Sequence, residues 1–128
     1  MEEYRLARLD RTDAAETAAW TALLAREGIR PDPNLEYTVV LLDSKGSIVA
    51  TGSCFHNTLR CFAVDHAHRG EGLLNQVVTH LMDYEFQRGI CHLLLHTKCS
   101  TAPFFQELGF HEIARVEGRV VLLENQPH

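Results

Sequence analysis

Apolar and charged residues alternate through Tyr4-Arg5-Leu6-Ala7-Arg8-Leu9, the two-residue period of a half-buried strand, and Asp10 ends the pattern. The period then changes. Asp13-Ala14-Ala15-Glu16 has capping-box spacing, and Ala15, Ala18, Ala19, Ala22 and Leu23 recur at helical intervals up to Gly28, which predicts a helix over about 13–27. Pro31-Asp32-Pro33-Asn34 cannot extend that helix and reads as a loop. Glu36–Leu42 and Ser47–Phe55 are rich in strand formers and are joined by Asp43-Ser44-Lys45-Gly46, which predicts an antiparallel hairpin. A short turn at His56-Asn57 returns the chain into Thr58–Asp65, whose Cys61-Phe62-Ala63-Val64 core predicts a third strand covered on both faces.

In the second half, Leu73, Leu74, Val77, Val78, Leu81 and Met82 form a helical stripe running toward Gly89, the longest helix the pattern predicts. Ile90–Thr97 reads as a buried strand, Pro103 as the first turn of a short helix ended by Gly109, and Arg115-Val116-Glu117-Gly118-Arg119-Val120 as a closing hairpin. The expected order is β-α-β-β-β-α-β-α-β-β, an α/β fold with a mixed sheet of about seven strands and flanking helices.

Composition narrows the function classes. At 128 residues and 45% hydrophobic, residues 1–128 are expected to form one domain with its own core. Twelve Lys and Arg against 17 Asp and Glu give a net charge of −5 without a basic cluster, which argues against nucleic acid as a partner. No apolar run exceeds four residues, so no membrane helix is expected, and Met1-Glu2-Glu3-Tyr4-Arg5 lacks the basic and apolar regions of a signal peptide. A cytoplasmic protein is the expectation.

Cys54, Cys61, Cys91 and Cys99 are 7, 30 and 8 positions apart, which makes no zinc spacing and predicts reduced, mostly buried thiols. His66 and His68 flank Ala67 beside Asp65, a spacing that raises a metal site but reads as surface polarity; no metal is expected. His80 and His92 read as packing or surface histidines.

Chemistry points to one loop. Arg69-Gly70-Glu71-Gly72-Leu73-Leu74 follows a strand and opens the long helix, so unpaired first-turn amides converge where the helix dipole adds about half a positive charge. Glycine lets the main chain approach an anion closely, and a phosphate is the natural ligand. The segment lacks the GxGxxG and GxxxxGK[ST] patterns. Downstream, Phe104-Phe105-Gln106-Glu107-Leu108-Gly109-Phe110 is a short aromatic helix ended by glycine; taken alone, it reads as core packing.

In this order and at this separation, the two segments resemble the GNAT acyltransferase superfamily over nearly the whole chain. Its members bind the acetyl-CoA pyrophosphate at an R-x-x-G-x-[G/A] loop and carry a "FYEKLGF"-like segment downstream. "RGEGLLNQVVTHL", "HLLLHTK", "FFQELGF" and "VVLLEN" look more closely like the N-terminal domain of the citrate lyase ligase family. That resemblance implies a GNAT-like fold and a CoA site at Arg69, Gly70, Glu71, Gly72, Leu73 and Leu74. It also implies backbone contacts to pantetheine along Phe62, Ala63 and Val64. The implied activity is acetylation of a thiol on the acyl carrier subunit of citrate lyase. The implied cofactor is acetyl-CoA or that carrier's CoA-like phosphopantetheine prosthetic group. A C-terminal nucleotidyltransferase domain with an HxGH-type motif follows in that family, and no such motif occurs here.

Two departures matter. Leu74 occupies the last small position of the loop motif. Phe105 aligns with a tyrosine that many superfamily members use to protonate the departing CoA thiolate, and phenylalanine has no proton to give. An amine acetyltransferase would then need water, Cys99, Ser100 or Thr97 as acid, whereas thioester formation needs a deprotonated thiol instead. At the end of the following strand, His96 is the candidate base and Lys98 the candidate holder of a carboxylate or phosphate. The alternatives are a free-standing N-acetyltransferase of a small amine and a non-catalytic CoA-binding or docking module.

Overall fold

The computed structural model describes residues 3–125. Seven strands form one sheet in the order β1-β2-β3-β4-β5-β7-β6. The strands are β1 Arg5–Arg8, β2 Tyr37–Leu42, β3 Ile48–Phe55, β4 Thr58–Val64, β5 Leu94–Thr97, β6 His111–Val116 and β7 Val120–Glu124. Three α-helices flank it: α1 Ala14–Arg26, α2 Leu73–Gln87 and α3 Ala102–Glu107, with a 3-10 turn at His66–His68. The expected element order holds.

The sheet is covered on both faces because β2 and β3 carry apolar residues on both. Val40 and Ile48 face α1, packing with its Trp20, Leu23 and Leu24. Val39, Leu41 and Val49 face the other way, with Leu73, Val77, Val78 and Leu81 of α2 and Phe105 of α3. The central strand β3 is buried from Ile48 to Cys54, and its polar groups are paired: the Trp20 indole donates to the Thr51 hydroxyl at 3.0 Å, which donates to the Val39 carbonyl at 2.8 Å. Helix α1 begins where the capping box placed it, with the Asp13 carboxylate accepting from the Glu16 amide at 3.0 Å.

Three expectations need correction. Ile90–Leu93 is not strand: Gly89 is left-handed (φ +81°), the Ile90 amide donates back to the Glu85 carbonyl at 3.0 Å, and the Asn125 side chain brackets Cys91 and Leu93, so β5 begins at Leu94. β4 is not covered throughout, for only Leu59 and Ala63 are buried. Of the cysteines only Cys54 is buried; Cys61 and Cys99 are half-buried and Cys91 is exposed. No helix among the described residues is long and apolar enough to cross a membrane.

Candidate functional site

The sheet opens in its middle. β4 and β5 pair in parallel only at Thr58 with Leu94 and Leu59 with Leu95, while His96 and Thr97 stay on β7 against Leu122 and Val121. Beyond Leu59 the two strands diverge. A bulge bends β4 at the same point: Thr51 pairs with Ala63 but Ser53 with Arg60, so Cys61 and Phe62 together oppose Gly52, with Cys61 at φ +56°. Gly52 is required by space, since a Cβ there would lie 2.5 Å from Val77 Cγ1 and 2.7 Å from the Phe62 ring.

The resulting cleft encloses about 850 Å³. Phe62, Ala63 and Val64 line one wall, His96, Thr97 and Lys98 the other, and Arg69, Gly70, Gly72, Leu73 and Leu74 one end. The bulge divides β4 between two faces. Phe62 and Val64 pack with the α2 and α3 cluster, Cys61 and Ala63 with α1, so the cleft communicates with both sides of the sheet.

At the α2 end the geometry is that of an anion site. Gly72 is the N-cap in left-handed conformation (φ +77°) without a side-chain cap, and the first turn holds no acidic residue. The first bond of the helix runs from the Gln76 amide to the Gly72 carbonyl at 3.2 Å. The amides of Leu73, Leu74 and Asn75 donate to no group among the described residues, as expected of a first turn awaiting an acceptor. A Cβ built on Gly70 or Gly72 meets nothing within 4 Å, so no side chain packs over either glycine of the loop. Leu74 is half-buried and leans on the core while lining the cleft.

The loop is held from α1. The Glu27 side chain, only 6% exposed, accepts from the Arg69 guanidinium at 2.6 Å, the His66 ring at 3.1 Å and the His66 amide at 3.2 Å. Burial pushes its carboxyl up, but these bonds more than offset that and hold it below the usual range. Ligand atoms of Glu27, Asp65 and His66 lie within 4.8 Å of one another, a set that has Glu27 where the sequence spacing raised His68. Their oxygens are engaged otherwise, Glu27 by Arg69 and Asp65 by the His68 ring at 2.9 Å, which helps to hold the Asp65 carboxyl low.

Two site candidates fall outside the cleft lining. Cys99 turns away, its thiol donating to the Val116 carbonyl at 4.0 Å, and Glu71 accepts from the Tyr4 hydroxyl at 3.0 Å. His96 and Lys98 line the cleft and are exposed at its rim. Phe105 lines it from within the core: 1% exposed, its ring lies 5.4 Å from Phe62, 5.2 Å from Phe104 and 6.2 Å from Phe110. Sequence reasoning missed Gly52, Glu27, Arg30, Arg60 and Arg119. A glycine inside a strand was the available signal for Gly52. Glu27 had none, being about 40 positions from the residues it holds.

The sequence of residues 2–110 matches a known family model, the acetyltransferase (GNAT) family. The chain belongs to the GNAT family. It is 32% identical over 114 residues to a citrate lyase ligase of Haemophilus influenzae, covering 89% of this chain and 34% of that protein. The chain thus spans about a third of the length of the curated relatives it matches. Among solved structures, ElaA of Escherichia coli superposes with TM-score 0.78 at 13% identity, covering 98% of this chain and all of that one. The NatC complex solved with Gag peptide and CoA has a chain matching at TM-score 0.78 and 16% identity, over 95% of this chain and 97% of its own.

Proposed function

We propose that the cleft binds acetyl-CoA, or the CoA-like phosphopantetheine arm of the citrate lyase acyl carrier, and takes part in acetylation of the carrier thiol alongside a nucleotidyltransferase domain. The observation that carries this is the amides of Leu73, Leu74 and Asn75, unpaired among the described residues, opening onto a cleft lined by Phe105, where the family resemblance implies a tyrosine. The donor set suits a diphosphate: successive backbone N–H groups at a helix start, unobstructed at Gly70 and Gly72.

When bound, acetyl-CoA supplies an activated acetyl thioester. The amides would anchor its diphosphate, and the unpaired edge of β4 along Phe62, Ala63 and Val64 would align the pantetheine. Phe62, Phe104 and Phe105 form an apolar wall that keeps water from the reacting end. His96 and Lys98 line the opposite rim; in this reading His96 accepts a proton from an incoming thiol and Lys98 holds a negative group. Phe105 can neither give nor take a proton, which suits thioester formation from an acetyl-adenylate, whose phosphate leaves without being protonated, better than transfer from acetyl-CoA to an amine, whose departing thiolate must be protonated.

Calorimetry with acetyl-CoA tests the groove, and a turnover assay with simple amines tests the acceptor. Binding without amine turnover is expected; efficient acetylation of a simple amine would refute the proposal. Gly72→Asn keeps a residue tolerant of left-handed φ while filling the open space. It should weaken acetyl-CoA binding by roughly ten-fold or more with little change in melting temperature. Unchanged affinity would reduce the loop to a turn.

A further inference from the structure

The cleft is electrostatically unlike the rest of the chain. Five of the 12 Lys and Arg residues line it, but only two of the 17 Asp and Glu, Glu27 and Asp32. Both acids are already matched: Glu27 takes Arg69, and Asp32 takes Arg60 at 2.5 Å, with the Asn34 amide and Arg60 holding its carboxyl low. Arg30, Lys98 and Arg119 remain, exposed and meeting no carboxylate among the described residues. Three uncompensated cations therefore border one cavity of an acidic chain.

Arg30 does not stand with the diphosphate amides. Gly28 (φ +74°) turns the chain off the end of α1 and lays Arg30 against the bulge of β4, where the Cys61 thiol donates to the Arg30 carbonyl at 3.7 Å. This is the α1 face of the sheet, and α2 begins on the opposite face. Across the cleft, Arg119 lies in the β6–β7 turn, and the Cys99–Val116 contact ties that turn to the loop bearing Lys98. The cleft thus offers backbone amides where α2 begins and, on Arg30, Lys98 and Arg119, side-chain cations that meet no carboxylate among the described residues.

Resting on the proposed acyl-transfer function, we propose that Arg30, Lys98 and Arg119 form a second anion subsite of the cleft that selects an acyl acceptor bearing a phosphate. Arginine forks suit phosphate, and their exposure at the rim lets the acceptor approach from the side away from the diphosphate loop. Arg30 and Arg119 are in this reading specificity-determining residues, with no part in the chemical step.

The test titrates the chain, saturated with CoA, with 4′-phosphopantetheine and with pantetheine, thiols that differ by one phosphate. The phosphorylated thiol should bind roughly ten-fold tighter or more. Arg30→Gln combined with Arg119→Gln should erase most of that preference while CoA affinity stays within about two-fold. Equal affinity for the two thiols, or a preference that survives the double variant, overturns the proposal. If CoA itself does not bind, the acyl-transfer reading fails instead. The same pair titrated on the free chain then decides the subsite by the same two criteria.

Discussion

Gly52→Ala is the most searching test of how the cleft is built. The added methyl would sit 2.5 Å from Val77 Cγ1 and 2.7 Å from two carbons of the Phe62 ring, so something must move. Val77 is fully buried on α2, with α2 packed against β3, and it cannot retreat cheaply. Phe62 is only partly buried and borders the cleft, so its ring is the freer party and would be pushed toward the ligand space. Overpacking of this kind costs about 1–3 kcal/mol. For a domain of this size that lowers the melting temperature by roughly 3–15 °C. Scanning calorimetry on Gly52→Ala, Phe62→Leu and the double variant forms a cycle. Because the methyl and the ring compete for one volume, the double variant should be more stable than additivity predicts by about 0.5–2 kcal/mol. A melting temperature unchanged in Gly52→Ala, or strict additivity in the cycle, would refute the claim that this glycine makes room for the bulge.

Two buried carboxylates should give opposite pH signatures. Glu85 is fully buried, with one oxygen bonded to Arg88 at 3.0 Å and Oε2 lacking a hydrogen-bond partner among the described residues, and burial raises its pKa. The stability it contributes is therefore complete below the unfolded carboxyl pKa and declines as pH rises through the higher folded value. Glu85→Gln should gain on the wild type as pH rises from about 4.5; melting curves that stay parallel from pH 4 to 8 would contradict this. Glu27, held low by His66 and Arg69 despite burial, contributes stability above the unfolded pKa that is lost as pH falls. Glu27→Gln should cost about 1–2 kcal/mol near pH 7 by urea denaturation, with the difference shrinking in acid. A pH-independent cost would mean that the charge of the staple is irrelevant.

Much of the fold was legible because local rules and tertiary packing agreed. The capping box at Asp13 marks the start of α1, Asp43–Gly46 turns the hairpin, and the stripe from Leu73 faces the core. Where they disagreed, a long-range contact had prevailed: Asn125 and the Glu85 carbonyl hold Ile90–Leu93, which strand propensity alone assigns to β5. The phosphate loop was readable from its glycines and its place before a helix. The staple from Glu27 and the cations at Arg30 and Arg119 were not, because their meaning depends on three segments meeting across the splay rather than on any local pattern.

Among the described residues, only two rungs, at Leu94 and Leu95, join the half of the sheet that carries α1 to the half that carries the terminal hairpin. A molecule lying along β4 would act as the missing strand of this seam, knitting the halves together in a way the polypeptide does not manage alone. Ligand at a hundred times its dissociation constant would raise the unfolding free energy by about 2.7 kcal/mol. Thermal shift should therefore make occupancy of the seam a sensitive screen for whatever this protein binds.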